Sequence, residues 1–240
     1  MREFVRVVAS PLQRAWAGLA LQRSESVPRP TDQPQSFAAG PDHDRVLVFG
    51  SGPAAGWGVR THDLALPGAL ARALHVQTGR GADVCVAANP AGSITHGRRA
   101  LGSVDVTGYD AIIVVLGVTD AVELRSPTIW RTELTQILKN ISDRSDDRTQ
   151  IYVLGIQPIR TIPVFNTVIF GTLADRHATT LNRLTERLCA ATPHTTFVPL
   201  TGRSFIVSGR YRTSTDYQRW GESLATDMAA GLTETSRSRR

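Results

Sequence analysis

The chain has 240 residues, 41% hydrophobic and 20% charged, an ordinary globular composition with ample length for a buried core. Its net charge of +6 is weighted to the ends: residues 1–43 carry five Arg against four acids, and 234–240 three Arg against one acid. Between them, charges of alternating sign leave no stripe for nucleic acid, and no apolar run approaches the ~18 residues of a membrane span. The two cysteines and six histidines show neither Cys-x-x-Cys nor His-x-x-x-His spacing, so no disulfide framework and no metal site is expected.

Residues 1–23 carry an amphipathic helical pattern, kinked or broken at Pro11, that brings Phe4, Val8, Leu12, Trp16 and Leu19 near one face. The plainer expectation is a helix packed on the domain or on a protein partner. Its Arg residues make an anionic membrane surface the alternative. The apolar stretch at 15–21 is short, and no small-residue cleavage pattern follows it, so a secretory signal is not expected. The expected location is cytoplasmic, or peripheral to a membrane. Residues 24–44, with four Pro among polar residues, read as a flexible linker to one domain over 45–233, followed by a basic tail, 234–240.

Within 45–233 the periodicity is regular. Near-continuous apolar runs at 45–49, 83–88, 111–116, 150–155 and 196–200 are expected strands of a parallel sheet covered on both faces. Helical patterns separate them. Over 127–142, Trp130, Leu134, Ile137, Leu138 and Ile141 share a face. Over 171–191, Leu173, Leu181, Leu184 and Leu188 do so, and over 214–232, Tyr217, Trp220, Leu224 and Met228. The expected fold is α/β: a three-layer α/β/α sandwich with a five-stranded, mainly parallel, flavodoxin-like sheet and right-handed crossovers.

The chain is organised around Val46–Val59, where an apolar run meets Gly50, Gly52, Gly56 and Gly58 ahead of the helix-forming run at 65–74. Two readings of this turn arise. Gly50-Ser51-Gly52-Pro53-Ala54-Ala55 fits the G-x-G-x-x-G/A phosphate turn of dinucleotide-binding folds. The acidic residue that should then bind the ribose is missing: the next strand ends at Ala88-Asn89, and Asp63 precedes the helix. No cofactor is therefore expected.

The second reading uses the whole chain. Gly50 to Val59 resembles the first block of the SGNH (GDSL) hydrolases, usually G-D-S-x-x-A-G-x-G. Gly117-Val118-Thr119-Asp120 resembles the third block, G-x-N-D, and Asn89 to Ile94 falls where the second block, N-x-x-x-S-G, belongs. Ser208 to Trp220 aligns without gaps on the last block, D-G-x-H-P-S-x-x-G-Y-x-x-W, keeping Gly209, Tyr217 and Trp220. The resemblance implies the SGNH fold over 45–232, with a Ser nucleophile, a His base three residues after an Asp, and an oxyanion held by backbone amides and an Asn. Carried over by position, the nucleophile becomes Gly52, preceded by Ser51 in place of Asp. The Asn becomes Thr119, the Asp Ser208 and the His Tyr211, while the second-block Gly becomes Ile94 or, with a shifted loop, Gly92. A glycine has no side chain to attack with, and a phenol of ordinary pKa near 10 is a poor base at neutral pH.

Two functions from different classes follow. The first is a catalytically degenerate SGNH-fold protein that binds a small acyl, sugar or anionic ligand, or a protein partner. The second is an active ester or acyl hydrolase, or acyltransferase, with a relocated serine, through Ser51/His96/Asp120 or Ser93/His96. Turn formation and helix capping are the structural reading of the same residues. The candidate pocket is Ser51, Gly52, Gly92, Ser93, Ile94, His96, Thr119, Asp120 and Tyr211. The long apolar stretch Gln157–Phe170 is either a wall of that pocket or a loop packed on the core, and His177 and His194 are expected to be structural or solvated.

Overall fold

The strands pair in the order β1-β3-β2-β4-β5-β6. They are β1 (Gln35–Ala38), β2 (Asp44–Ser51), β3 (Ala82–Asn89), β4 (Ala111–Val115), β5 (Gln150–Leu154) and β6 (Thr195–Val198). The structure is a computed structural model that describes residues 2–24, 26–89, 92–200 and 209–237, with side chains from 11 to 235. β2 to β6 are parallel to one another, and β1 runs antiparallel on the outer edge of β3, Gln35 opposite Cys85. The sheet therefore has six strands, not five. The extra strand is only four residues long, follows Pro34 and exposes Phe37, so it carries too little alternation to stand out in a proline-rich segment.

Alternation along the strands divides the core into two layers. From β2, Val46 and Val48 face helices α2 (Leu66–Thr78) and α7 (Ser214–Arg237). Leu47 and Phe49 face the other layer: α1 (Arg2–Arg23), α3 (Ile94–Leu101), α4 (Val118–Val122), α5 (Pro127–Arg144) and α6 (Phe170–Ala190). The expected apolar face of α5 is buried at Trp130, Leu134, Ile137, Leu138 and Ile141, and that of α7 at Tyr217, Trp220, Leu224 and Met228. Each large side chain so buried stabilises the fold by roughly 1.5–3 kcal/mol. On α6 the buried line is Ala174, Ala178, Leu181, Thr185 and Cys189, with Leu173, Leu184 and Leu188 half-buried beside it. Small residues on this line admit Trp130, whose Nε1–H donates to Thr185 Oγ1 at 3.1 Å.

Helix α1 continues through Pro11 and packs on the domain, but by a different face from the expected one. Leu12 and Leu19 are exposed, while Gln13, Ala17 and Ala20 are buried. Gln13 Nε2 donates to the Phe170 carbonyl at 3.1 Å, and Trp16 lies against Phe165 and Phe170 with ring centroids 5.6 and 5.3 Å away. Ala17 and Ala20 belong to the buried core, and the buried Gln13 finds a carbonyl partner for its Nε2. Phe4 and Val8 lie outside the described side chains.

The segment expected as a flexible linker is fastened to the domain. Asp32 accepts the backbone N–H of His62 at 3.0 Å and faces its ring Nδ1 at 2.8 Å. Gly58 N–H donates to the Pro28 carbonyl at 2.9 Å, and the Arg29 guanidinium lies 4.6 Å from the centre of the Trp57 ring. No helix among the described residues is long and apolar enough to cross a membrane.

Candidate functional site

At the C-terminal end of β2 the chain stops pairing and turns. Ser51, still extended and buried, is in register with Asn89 at the end of β3. The next residue, Gly52, has φ +60°, in the left-handed region that favours glycine, and opens a 3-10 turn to Ala55. A Cβ placed on Gly52 would meet nothing closer than Val118 Cγ2 at 4.0 Å, so there is room for a side chain at this turn. Further along, Gly58 has φ +101°, and a Cβ there would stand 2.1 Å from the Arg212 carbonyl oxygen. This close approach brings the segment before α7, with Tyr211 and Arg212, onto the first turn.

That segment is held by a capping arrangement at the start of α7. Thr213 N–H donates to Asp216 Oδ2 at 2.8 Å, and Asp216 N–H returns to the Thr213 carbonyl at 3.1 Å. Arg210 pairs with the same carboxylate at 2.5 Å. Burial opposes ionisation of Asp216, but the hydrogen bonds from Arg210 and Thr213 outweigh it and pull the carboxyl down to about 2.

These turns border an open cleft, about 510 Å³ when the space open to solvent is included. Ser51, Gly52, Thr119 and Tyr211 line it together. Gln157, Ile162 and Phe165 form one wall, so the stretch 157–170 borders the cleft. Leu21 of α1, Pro53 and Val118 add apolar surface, and Trp57 and Arg212 complete the lining. No functional position of the sequence pattern falls on Trp57, Arg212 or Leu21. Arg212 is adjacent to the motif position Tyr211, and Trp57 lies inside the glycine run, so their places were legible but not their direction.

The other predicted residues lie beside the cleft, outside its described lining. A Cβ on Gly92 would stand 3.6 Å from Ser51 Cβ, which places that loop against the turn, while Gly92 N–H points to the Asn89 carbonyl at 3.4 Å. Ser93, buried at the start of α3, has its Oγ 2.9 Å from His96 Nδ1, and His96 is exposed. Asp120 is fully buried. Its Oδ2 accepts the Ile94 N–H at 2.8 Å and its Oδ1 faces Arg125 Nε at 3.2 Å. Burial is the dominant influence and raises its carboxyl to about 6 against these hydrogen bonds. Ser208 lies outside the described residues. His177 faces the Arg125 carbonyl at 2.7 Å, a structural contact on α6.

The chemistry of the cleft is one-sided. Its described lining holds hydroxyls from Ser51, Thr119 and Tyr211, the Gln157 amide and the Arg212 guanidinium, and no imidazole, carboxyl or thiol. Burial pushes the Tyr211 phenol above its ordinary value, so it keeps its proton at neutral pH. Arg212 donates from Nη2 to Gln157 Oε1, and its guanidinium lies 4.4 Å from the centre of the Trp220 ring. Among the described residues no cluster of His, Cys, Asp and Glu is placed to hold a metal ion.

No family model matches the chain, and no curated protein matches it. Solved structures do. The chain is similar to Est24, a carbohydrate acetylesterase from Sinorhizobium meliloti, with 17% identity and a TM-score of 0.59 over 78% of this chain and 98% of that one. It is similar to the lipase/acylhydrolase from Enterococcus faecalis, with 15% identity and a TM-score of 0.57 over 78% and 95% of the two chains. AlinE4, an SGNH-hydrolase family esterase, shares 21% identity and a TM-score of 0.51 over 68% of this chain and 77% of its own. The likeness is one of architecture: the chain has the α/β/α fold of the SGNH hydrolases.

Proposed function

We propose that this chain is a catalytically degenerate SGNH-fold protein that acts by binding a small ligand in the cleft between the turn after β2 and the segment before α7. The observation that carries the reading is the composition of that cleft. By the motif alignment Gly52 falls at the nucleophile position and Tyr211 at the base position, and the described lining of the cleft holds no imidazole or carboxyl. Acyl transfer by a serine needs a base within hydrogen-bond reach of the hydroxyl, and none of the described lining residues offers one to Ser51 at neutral pH. Thr119, in place of the oxyanion Asn, keeps a hydroxyl in the cleft, so polar recognition is retained where the reaction machinery is not.

A second reading is favoured by one specific contact. Ser93 Oγ and His96 Nδ1 are 2.9 Å apart, a nucleophile–base spacing, and would serve an ester or acyl hydrolase, or acyltransferase, working beside the inherited cleft. The two readings part on one experiment: purified protein is treated with a fluorophosphonate probe and digested for peptide mass spectrometry, with an active SGNH esterase labelled in parallel. The expected result is no adduct on this chain and full labelling of the control. A stoichiometric adduct on Ser51 or Ser93 overturns the binding reading and identifies the relocated nucleophile.

A further inference from the structure

The outer side of α1 and the start of α6 present an exposed apolar face. Leu12, Trp16, Leu19 and Arg23 follow the helical spacing i, i+4, i+7, i+11, so they lie along one side of α1. Leu12, Leu19 and Arg23 are exposed, and Trp16 sits half-buried at the seam with Phe170, ring centroids 5.3 Å apart. Val168 and Ile169, the two residues before Phe170, are exposed as well. Four of the eight large apolar side chains exposed among the described residues therefore gather about one seam. Leu21, the residue of α1 that lines the cleft, is not on this stripe, so the face is separate from the cleft.

Two features say what meets this face. The four side chains are 58% to 79% exposed, so they project from the surface instead of lining a groove that a peptide could fill. Cations flank them. Arg23 is exposed on the same side of α1, and the exposed Arg160 carries its side chain across Gly171, where a Cβ would stand 2.8 Å from its Cγ. Residues 1–23 as a whole hold four Arg against one Glu. The half-buried Asp175 is an acid near Arg160, and its Oδ1 accepts the Arg160 backbone N–H at 3.1 Å. Projecting apolar side chains with cations at their margin match the boundary of an anionic bilayer, where acyl chains take up the first and lipid phosphates the second. We propose that this face docks the protein on an anionic membrane surface. Leu12, Leu19, Val168 and Ile169 enter the headgroup region, and Arg23 and Arg160 meet lipid phosphates.

The test is sedimentation of the full-length protein with phosphatidylcholine vesicles, with and without phosphatidylglycerol as roughly a third of the lipid. The expected result is partitioning at least about tenfold stronger onto the anionic vesicles, lost as salt is raised. This comparison is read on the unaltered protein and needs no variant. Leu12→Gln combined with Ile169→Gln should weaken partitioning onto the anionic vesicles by about tenfold or more. Val76→Gln, which removes a similarly exposed side chain from α2, should leave it unchanged. Equal partitioning onto the two vesicle types overturns the proposal, as does absence of binding to both. Loss of binding in Val76→Gln as large as in the double variant also overturns it. So does a dimer, seen by sedimentation equilibrium without vesicles, that the double variant dissolves: the face then belongs to a second copy of this chain.

Discussion

The buried carboxylate of Asp120 accepts the backbone N–H of Ile94 at 2.8 Å. Ile94 starts α3 and falls where the SGNH pattern places an oxyanion-holding amide in the ungapped alignment. An amide engaged by a buried carboxylate is not free to meet a developing negative charge, and the carboxylate itself repels one. In this fold the pair instead ties the start of α3 to α4.

Asp120 makes a pH prediction. Burial raises its folded carboxyl to about 6, above the ordinary value near 3.9 of an unfolded chain. Between these values the folded state holds more protons than the unfolded one, so this group makes stability rise as pH falls from about 6 to about 4. Asp120→Asn keeps an acceptor for Ile94 N–H and removes the titration. The stability difference between the two proteins, from urea unfolding, should change by on the order of 2 kcal/mol across that window. Parallel stability–pH curves would show that Asp120 ionises as an ordinary carboxyl.

Asp216 predicts the opposite slope. Its folded carboxyl, pulled down to about 2 by Arg210 and Thr213 against burial, contributes stability that is present above the unfolded value near 4 and lost as pH falls through about 2. Asp216→Ala should cost roughly 1–2 kcal/mol at pH 7 by removing the helix cap and the Arg210 pair. The same variant should weaken any ligand that contacts Tyr211 or Arg212, because the cap positions their segment. Unchanged unfolding at pH 7 would place the cap outside the stabilising interactions.

Gly58 is constrained twice, by φ +101° and by the Arg212 carbonyl 2.1 Å from where a Cβ would stand. Gly58→Ala is therefore expected to lower stability by about 2 kcal/mol or more and to displace the Tyr211–Arg212 segment from the cleft. Thermal unfolding followed by circular dichroism measures the first effect, and quenching of Trp57 and Trp220 fluorescence the second. A variant as stable as the parent would mean that the two turns separate readily.

The roomy Gly52 position permits a reconstruction. Gly52→Ser places a hydroxyl where the SGNH pattern has its nucleophile, at a left-handed-backbone cost of about 1–2 kcal/mol. Neither Gly52→Ser nor Tyr211→His alone should react with a fluorophosphonate probe, since each lacks its partner, whereas the double variant should form an adduct on residue 52. Labelling of Gly52→Ser alone would reveal a base that already serves the cleft.

The sites illustrate how far a linear pattern reaches. Ser51, Gly52, Thr119 and Tyr211 were legible because each occupies a fixed position in a strand–turn or last-block pattern, and the fold brings those turns together at one sheet end. The dyad spacing of Ser93 and His96 was also legible, since residues three apart at a helix start are neighbours. That Ser93, Ile94, His96 and Asp120 fall outside the described cleft lining depends on how α3 and α4 meet, and no local pattern records it.

The same division holds for the whole molecule. The parallel strands and the faces of α5 and α7 were determined by the sequence itself, because burial on both faces of a sheet or one face of a helix imposes a period on apolar residues. Strand β1 has four residues and no such period, and pairs only because the edge of β3 offers it unpaired backbone groups. The buried face of α1 passes through Gln13, a polar residue whose partner, the Phe170 carbonyl, lies 157 residues away. Arg212 likewise reads as surface charge in sequence. Only the tertiary structure could turn it inward, because the amide of Gln157 and the ring of Trp220 that receive it come from separate parts of the chain.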